Sequence, residues 1–125
     1  MLGKRLFVGA AAGVIFGSVG APVAAIAAPA GCNGGWVCLY RDDDYKGGGY
    51  FQNQQGGSWN LSDQGFNDQT NSWYNNSSVD AKWFYDANLK GTSRCMNNNS
   101  SNHSLSIADY DEASSLAIYT YQYAC

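Results

Sequence analysis

Two stretches of the chain alternate apolar and polar positions with the two-residue period of a strand whose faces differ. Val79, Ala81, Trp83 and Tyr85 alternate with Asp80, Lys82, Phe84 and Asp86, and Ala117, Tyr119, Tyr121 and Tyr123 repeat the pattern near the C-terminus. Beyond the N-terminal stretch no 3.6-residue apolar period is sustained, while Gly, Asn, Ser and aromatic residues are abundant between the alternating runs. Short strands joined by turns, hence an all-β domain, are what this pattern predicts.

An internal repeat organises those strands. At an offset of 44 residues, Leu39-Tyr40-Arg41-Asp42-Asp43-Asp44-Tyr45-Lys46-Gly47 lies over Trp83-Phe84-Tyr85-Asp86-Ala87-Asn88-Leu89-Lys90-Gly91, with aromatic, acidic, basic and glycine positions coinciding. The same offset brings Leu61-Ser62 onto Leu105-Ser106 and Phe66 onto Tyr110, and after one dropped residue Asn71-Ser72-Trp73 meets Ser114-Ser115-Leu116.

Within each copy the spacing of an aromatic, four residues, a second aromatic, one residue and a glycine resembles the Greek-key signature of the βγ-crystallins. Tyr40, Tyr45 and Gly47 carry it in the first copy; Phe84, Leu89 and Gly91 carry it in the second, where leucine replaces the second aromatic. The resemblance implies an antiparallel β-sandwich of two Greek-key motifs, in which a hairpin folds back over its own sheet. Glycine then serves where the backbone takes a positive φ or passes close to a ring. The carboxylates Asp42, Asp43 and Asp44 read as a solvated hairpin tip. We expect motif one over residues 36–78 and motif two over 79–123, packed around Tyr40, Tyr45, Trp73, Trp83, Phe84, Leu116 and Ile118.

The second half of such a motif carries a calcium loop of two Asn/Asp residues, two free positions and a Ser/Thr-Ser pair. Phe66-Asn67-Asp68-Gln69-Thr70-Asn71-Ser72-Trp73 and Tyr110-Asp111-Glu112-Ala113-Ser114-Ser115 are similar to it. The resemblance makes Asp68, Asn71, Asp111 and Ser114 candidate ligands for a hard cation, which takes carboxylate, hydroxyl and carbonyl oxygens. Both copies depart from the pattern: Asn71 stands for a hydroxyl residue, and Tyr110 for the leading Asn/Asp. The alternative is that these residues only cap strands through side-chain to backbone hydrogen bonds.

The N-terminus changes the setting of the fold. MLGKR, then LFVGAAAGVIFGSVG and the small-residue tract APVAAIAAPA, have the charged, apolar and small-residue regions of a secretory leader over residues 1–27, leaving 28–125 as one domain. The apolar stretch ends in small residues rather than a charged stop, so a retained membrane anchor is not expected. Pro29 stands where a lipoprotein leader would carry an aliphatic residue, which argues against lipidation at Cys32. All four cysteines, Cys32, Cys38, Cys95 and Cys125, lie beyond the leader, as two disulfides of an exported chain would. Three pairings are open; the turn-forming Asn33-Gly34-Gly35 favours Cys32 with Cys38, leaving Cys95 for Cys125. Zinc is disfavoured, because His103 is the single histidine and no close cysteine pair faces another.

Charge and residue placement narrow the function classes. The full chain carries a net −3, and removal of Lys4 and Arg5 with the leader makes it more acidic, which argues against nucleic acid. No basic amphipathic stretch suggests a membrane surface. A Ser-His-Asp enzyme would have to use His103, which lies in a polar Asn/Ser run with nothing to orient it. Adjacent carboxylates at a hairpin tip do not face a common cleft as glycosidase carboxylates must. An enzyme is therefore not expected.

CLYRDDDYKGG and NLSDQGFNDQTNSW, in a small exported chain of two motifs with few cysteines, most resemble the actinobacterial metalloproteinase inhibitor family. The resemblance implies a secreted monomer whose partner is an extracellular, thermolysin-like metallopeptidase, with no cofactor beyond optional calcium. Two other classes share the fold: a calcium-binding structural module of the cell exterior and a small antifungal toxin, the latter disfavoured by the acidic charge. An inhibitory loop must be exposed and held in its bound shape. Arg94, Cys95, Met96 and Asn97 are the candidate, with a disulfide anchoring Cys95 and Met96 offered to an apolar primed-side pocket; the alternative is that Met96 packs in the core.

Overall fold

The computed structural model describes residues 27–125, so the leader expected over 1–27 lies, apart from Ala27, outside the described residues. Among the described residues eight strands form: β1 (Trp36–Asp42), β2 (Lys46–Gln52), β3 (Gly57–Asn60), β4 (Ser72–Asn76), β5 (Ala81–Asp86), β6 (Lys90–Met96), β7 (Ser100–Asn102) and β8 (Ser115–Ile118). They build two four-stranded sheets, in the orders β2-β1-β4-β7 and β3-β8-β5-β6, with every pairing antiparallel. Each repeat sends its third strand to the other's sheet. Thus β3 pairs Gly57 with Ile118 and Asn60 with Ser115 of β8, and β7 pairs Asn102 with Trp73 and Ser100 with Asn75 of β4.

The core between the sheets is aliphatic and aromatic: Val37, Leu39, Phe66, Trp73, Ala81, Trp83, Met96, Leu116 and Ile118 are buried there. Val37 and Leu39 point into it, whereas Cys38 and Tyr40, one residue out of phase, point to the opposite face of β1. That outer face has its own cover, in which Tyr40 meets Tyr45 edge-on at 5.7 Å and Phe51 at 5.3 Å, and Tyr45 meets Tyr74 at 5.6 Å. The Cys32–Cys38 disulfide lies in the same cluster. Coverage on both sides explains why Val37, Cys38, Leu39 and Tyr40 are buried in succession. It also corrects the expected core: Tyr40 and Tyr45 pack outside the sandwich, and Tyr45 and Phe84 are only half-buried.

The fold-back corner is built twice with the same backbone. Asp44 and Tyr45 take φ of 59° and 62°, and Asn88 and Leu89 take 61° and 58°, a left-handed pair at each hairpin tip. Side chains in this region cost roughly 1–2 kcal/mol each, and a buried serine offsets the cost in each copy. The Ser72 hydroxyl accepts from Tyr45 N at 3.1 Å and donates to Asp42 O at 2.6 Å. Ser115 repeats this with Leu89 N at 3.0 Å and Asp86 O at 2.6 Å. Leu89 has no ring to lay on its sheet and stays 36 % exposed.

The C-terminal alternation ends early. β8 stops at Ile118 with all four residues buried, and Tyr121 and Tyr123 are 58 % and 80 % exposed rather than strand residues. Asp80 captures the segment that follows: its N–H donates to Tyr121 O at 3.4 Å, its carbonyl accepts from Tyr119 N at 3.0 Å, and its carboxylate accepts from Cys125 N at 3.0 Å. The same carboxylate accepts from Asn98 N at 2.8 Å and Asn98 Nδ2 at 2.9 Å. Asp80 is therefore 2 % exposed, not a residue of an outward strand face. The Cys95–Cys125 disulfide closes the tail onto β6.

Two stability predictions follow from this packing. A Cβ at Gly49, where β2 passes β1, would collide with the Leu39 carbonyl oxygen and come within 2.7 Å of the Phe51 ring, whereas one at Gly34 meets nothing within 4 Å. Denaturant titration should show Gly49→Ala losing about 1–3 kcal/mol and Gly34→Ala staying within about 0.5 kcal/mol of the parent; equal curves for the two would contradict the geometry. Burial pushes the Asp80 carboxyl up, but the Cys125 and Asn98 donors outweigh it and hold the carboxyl below the ordinary aspartate value. A lowered folded pKa gives stability that is present above the unfolded value of about 3.9 and lost as pH falls through the folded one. Asp80→Asn should lower the melting temperature at neutral pH and flatten its acid limb below about pH 4. An acid limb as steep as the parent's would remove Asp80 from the pH response.

Candidate functional site

The loops that precede β4 and β8 approach each other about a local pseudo-twofold relation, and they bring the four candidate ligands together as two pairs. Asp68 and Asp111 sit at φ of 55° and 57°, each turning its backbone N–H across to the other repeat: Asp68 N donates to Ala113 O at 2.9 Å and Asp111 N to Thr70 O at 3.3 Å. Asp68 Oδ1 accepts from Ser114 Oγ at 3.1 Å, and Asp111 Oδ1 accepts from Asn71 Nδ2 at 3.0 Å. Each pair thus takes one residue from each motif. A groove beside them is lined by Arg41, Asp42, Asp68, Gln69, Asn71 and Asp111.

The donor sets of the two halves differ. At the Asp68 half, a carboxylate faces a hydroxyl that can rotate to offer a lone pair, which suits a hard cation. At the Asp111 half, Asn71 Nδ2 donates to Arg41 O at 2.7 Å as well as to Asp111 Oδ1, while Asn71 Oδ1 accepts from Asp111 N at 3.0 Å. An amide nitrogen there already gathers two oxygens of the kind a cation would collect. Arg41 lines the same groove, its guanidinium 4.8 Å from the Phe66 ring centroid and its Nε bonded to Gln69 Oε1. That positive charge works against a second one. The residues fit calcium at the Asp68 and Ser114 half and fit it poorly at the Asp111 and Asn71 half.

The segment read as an inhibitory loop is placed differently from the expectation. Arg94, Cys95 and Met96 lie in β6, where Met96 pairs with Ala81, and Asn97 follows it. Met96 is fully buried in the inter-sheet core. Its carbonyl accepts from the buried Asn75 Nδ2 at 2.8 Å, and the Asn98 that follows is tied to Asp80. The expectation that Met96 is offered to a primed-side pocket is therefore corrected: its side chain packs in the core, the alternative reading. Asn97 is exposed and Cys95 half-buried in its disulfide. The asparagine run signalled exposure but not this anchoring.

Arg94 has a different task. Its Nε donates to Asp109 Oδ2 at 2.9 Å. The Tyr85 hydroxyl lies 2.5 Å from Asp109 Oδ1 and 3.0 Å from Ala108 O. Burial raises the Asp109 carboxyl, yet the Arg94 and Tyr85 hydrogen bonds hold it below the usual aspartate range. Tyr85 in turn lies flat on the buried Trp83, centroids 5.6 Å apart. Nothing in the sequence marked Asp109 as the partner of Arg94, since the pair joins a strand to a turn fifteen residues later.

His103 Nδ1 is 3.2 Å from Asp44 Oδ1, with both side chains largely exposed. Asp80, Cys95 and Cys125 place their oxygen and sulfur atoms within 4.8 Å of one another, but both sulfurs belong to the disulfide, so no thiolate exists to hold a metal.

Solved structures with the same architecture are βγ-crystallin domains. A double mutant of a βγ-crystallin domain from Clostridium beijerinckii is 25 % identical, with a TM-score of 0.58, covering 67 % of this chain and 96 % of its own. A βγ-crystallin domain from Flavobacterium johnsoniae is 26 % identical at TM-score 0.54, covering 65 % and 90 %. The βγ-crystallin from Ciona intestinalis, 22 % identical at TM-score 0.57 and covering 67 % and 99 %, shares the fold. No curated protein matches the chain. The family model described as peptidase inhibitor family I36 matches residues 25–96, so the chain belongs to that family.

Proposed function

We propose that this member of peptidase inhibitor family I36 is a secreted inhibitor of thermolysin-like metalloendopeptidases and is not itself an enzyme. The match of the family model over residues 25–96 is the observation that carries the reading. The two disulfides agree with an exported protein. Fold likeness alone would not choose a function, because unrelated activities share one scaffold. The purified oxidised protein, assayed against metallo-, serine and cysteine endopeptidases, should inhibit the metallo class alone. Inhibition confined to the other two classes, or of none, would sink the proposal.

A second reading, calcium binding as a stabilising accessory, is supported by the cross-motif pairing of Asp68 with Ser114. Asp68 and Ser114 would hold the ion, which would supply a charge bridge between the two motifs. At a free concentration ten times its Kd the ion adds about 1.4 kcal/mol, a shift of several degrees for a domain of this size. Melting should rise in millimolar calcium; Asp68→Asn should abolish the rise, and Asn71→Ser, which restores a hydroxyl and removes the amide donor, should enlarge it. Identical melting in calcium and in chelator would retire this role.

A further inference from the structure

The outer faces of the two sheets are covered unequally. On the first sheet Tyr40, Tyr45, Phe51 and Tyr74 gather four rings around Cys38. The repeat and the strand registers set Cys38, Tyr40, Tyr45, Phe51 and Tyr74 against Lys82, Phe84, Leu89, Cys95 and Ala117 of the second motif. One ring stands where the first motif has four. A groove of about 380 Å³ opens on this side, with Gly57, Ser58, Leu89, Ala117, Tyr119 and Tyr121 among its lining. Ser58 pairs with Ala117 across β3 and β8, so the two share a face.

Past Ser58 and Leu89 the groove continues into a polar recess of about 240 Å³ that also takes in Trp59, Asn60, Asp63, Gln64 and Asn88. Part of that recess is fixed across the motif boundary. Asn60 Nδ2 donates to Asn88 Oδ1 at 2.9 Å, and Asn88 N donates to Asn60 Oδ1 at 2.7 Å. The Trp59 ring lies against Gly57, where any Cβ would collide with it. Beside these held groups, the Ser58 hydroxyl, the Asp63 carboxylate and the Gln64 amide have no hydrogen-bond partner among the described residues. Joined, the two parts have the size of a small-ligand site.

We propose that this continuous groove binds a neutral saccharide, with a sugar ring on the Leu89 and Ala117 floor beside Tyr119 and Tyr121, and hydroxyls bonded to Ser58, Asp63 and Gln64. Charge and hydrogen-bond complementarity select this class of ligand. Among the lining residues Asp63 is the one carboxylate and no basic side chain accompanies it. An anion is repelled, and a metal ion meets a single carboxylate where hard cations collect six or more oxygens. An aromatic side chain of a peptide would cover the floor, but it would leave three polar groups stripped of water and unpaired. A sugar meets both ends of the groove. Its C–H face takes apolar surface out of water, and each of its hydroxyls both donates and accepts. The site shares no residue with the Asp68 and Ser114 pair or with Arg94 to Asn97, so it is a second binding activity that does not rest on the inhibitor reading.

Amide NMR of the nitrogen-15-labelled, oxidised protein decides the matter, titrated with cellotetraose, maltotetraose and chitotetraose and, separately, with N-acetyltyrosinamide. At least one tetrasaccharide should bind in the millimolar range or tighter, moving the Trp59 indole and the side-chain amides of Asn60, Gln64 and Asn88. Asp63→Ala and Tyr121→Ser, both at exposed positions, should each weaken that binding roughly tenfold with an unchanged melting temperature, and Tyr123→Ser should match the native protein. Signals unmoved by every tetrasaccharide, or shifts gathered away from the groove, overturn the proposal. Binding that survives Asp63→Ala and Tyr121→Ser undiminished overturns it as well. Shifts with N-acetyltyrosinamide and none with the saccharides assign the groove to an aromatic peptide side chain instead. No peptidase enters the titration, so each of these results leaves the inhibitor reading untouched.

Discussion

The exchange of third strands between the two motifs is the constraint from which the rest of the structure follows. With β3 hydrogen-bonded to β8 and β7 to β4, neither motif can complete its own sheet, and neither can bury its apolar face alone. Leu39, Trp73, Trp83 and Leu116 become one core because strands from both repeats form both walls. The exchange also fixes the loops. The segments leading into β4 and β8 must pass each other to reach their sheets, and this crossing sets Asp68 against Ser114 and Asp111 against Asn71. The topology is dominated by contacts distant in sequence, which makes folding slow relative to local hairpins.

Within that frame the backbone repeats more faithfully than the chemistry. Ser72 and Ser115 clamp their corners with nearly the same distances, and the left-handed pairs Asp44-Tyr45 and Asn88-Leu89 agree within a few degrees. Each serine hydroxyl both accepts and donates within its corner, so a change at that position would leave two backbone groups without their partner. The partly solvated positions differ instead: Tyr45 against Leu89, Asn71 against Ser114. Asn71 shows how such a position changes without loss of the fold. Its amide satisfies a carbonyl and a carboxylate from within the chain, so the two motifs are joined there by the protein's own groups.

The sequence revealed the parts that depend on local spacing. The 44-residue offset, the corner glycines at φ of 79° and 77°, and the short loop between Cys32 and Cys38 are legible because each arises from neighbouring residues. Errors gathered where distant partners decide. The alternation from Ala117 to Tyr123 looked like a strand, but Asp80 and the Cys95–Cys125 disulfide draw the chain away after Ile118. Met96 looked exposed because asparagines follow it, yet those asparagines are held by buried acceptors on the neighbouring turn. Tyr40 looked like sandwich core because a second, outer cluster on β1 leaves the same apolar signature. The four paired loop residues were legible as a set; the unequal chemistry of their two halves was not, since it depends on where Asn71 Nδ2 points.

The rigidity of the turn between β7 and β8 rests on the Arg94 to Asp109 pair. Proteolysis requires a segment to open far enough to lie extended in a cleft, at a free-energy cost set by the contacts released. Opening the turn that carries Ile107 would break the Ser106 turn, uncover the Asp109 carboxylate and separate Tyr85 from its partners. Opening gives up the charge-assisted hydrogen bonds to that carboxylate, which are stronger than neutral ones. In the loops before β4 and β8 the polar side chains are instead paired with one another across the motif boundary. The turn before β8 is therefore held shut by one buried carboxylate, Asp109, whose partners come from β6 and β5 rather than from the turn itself.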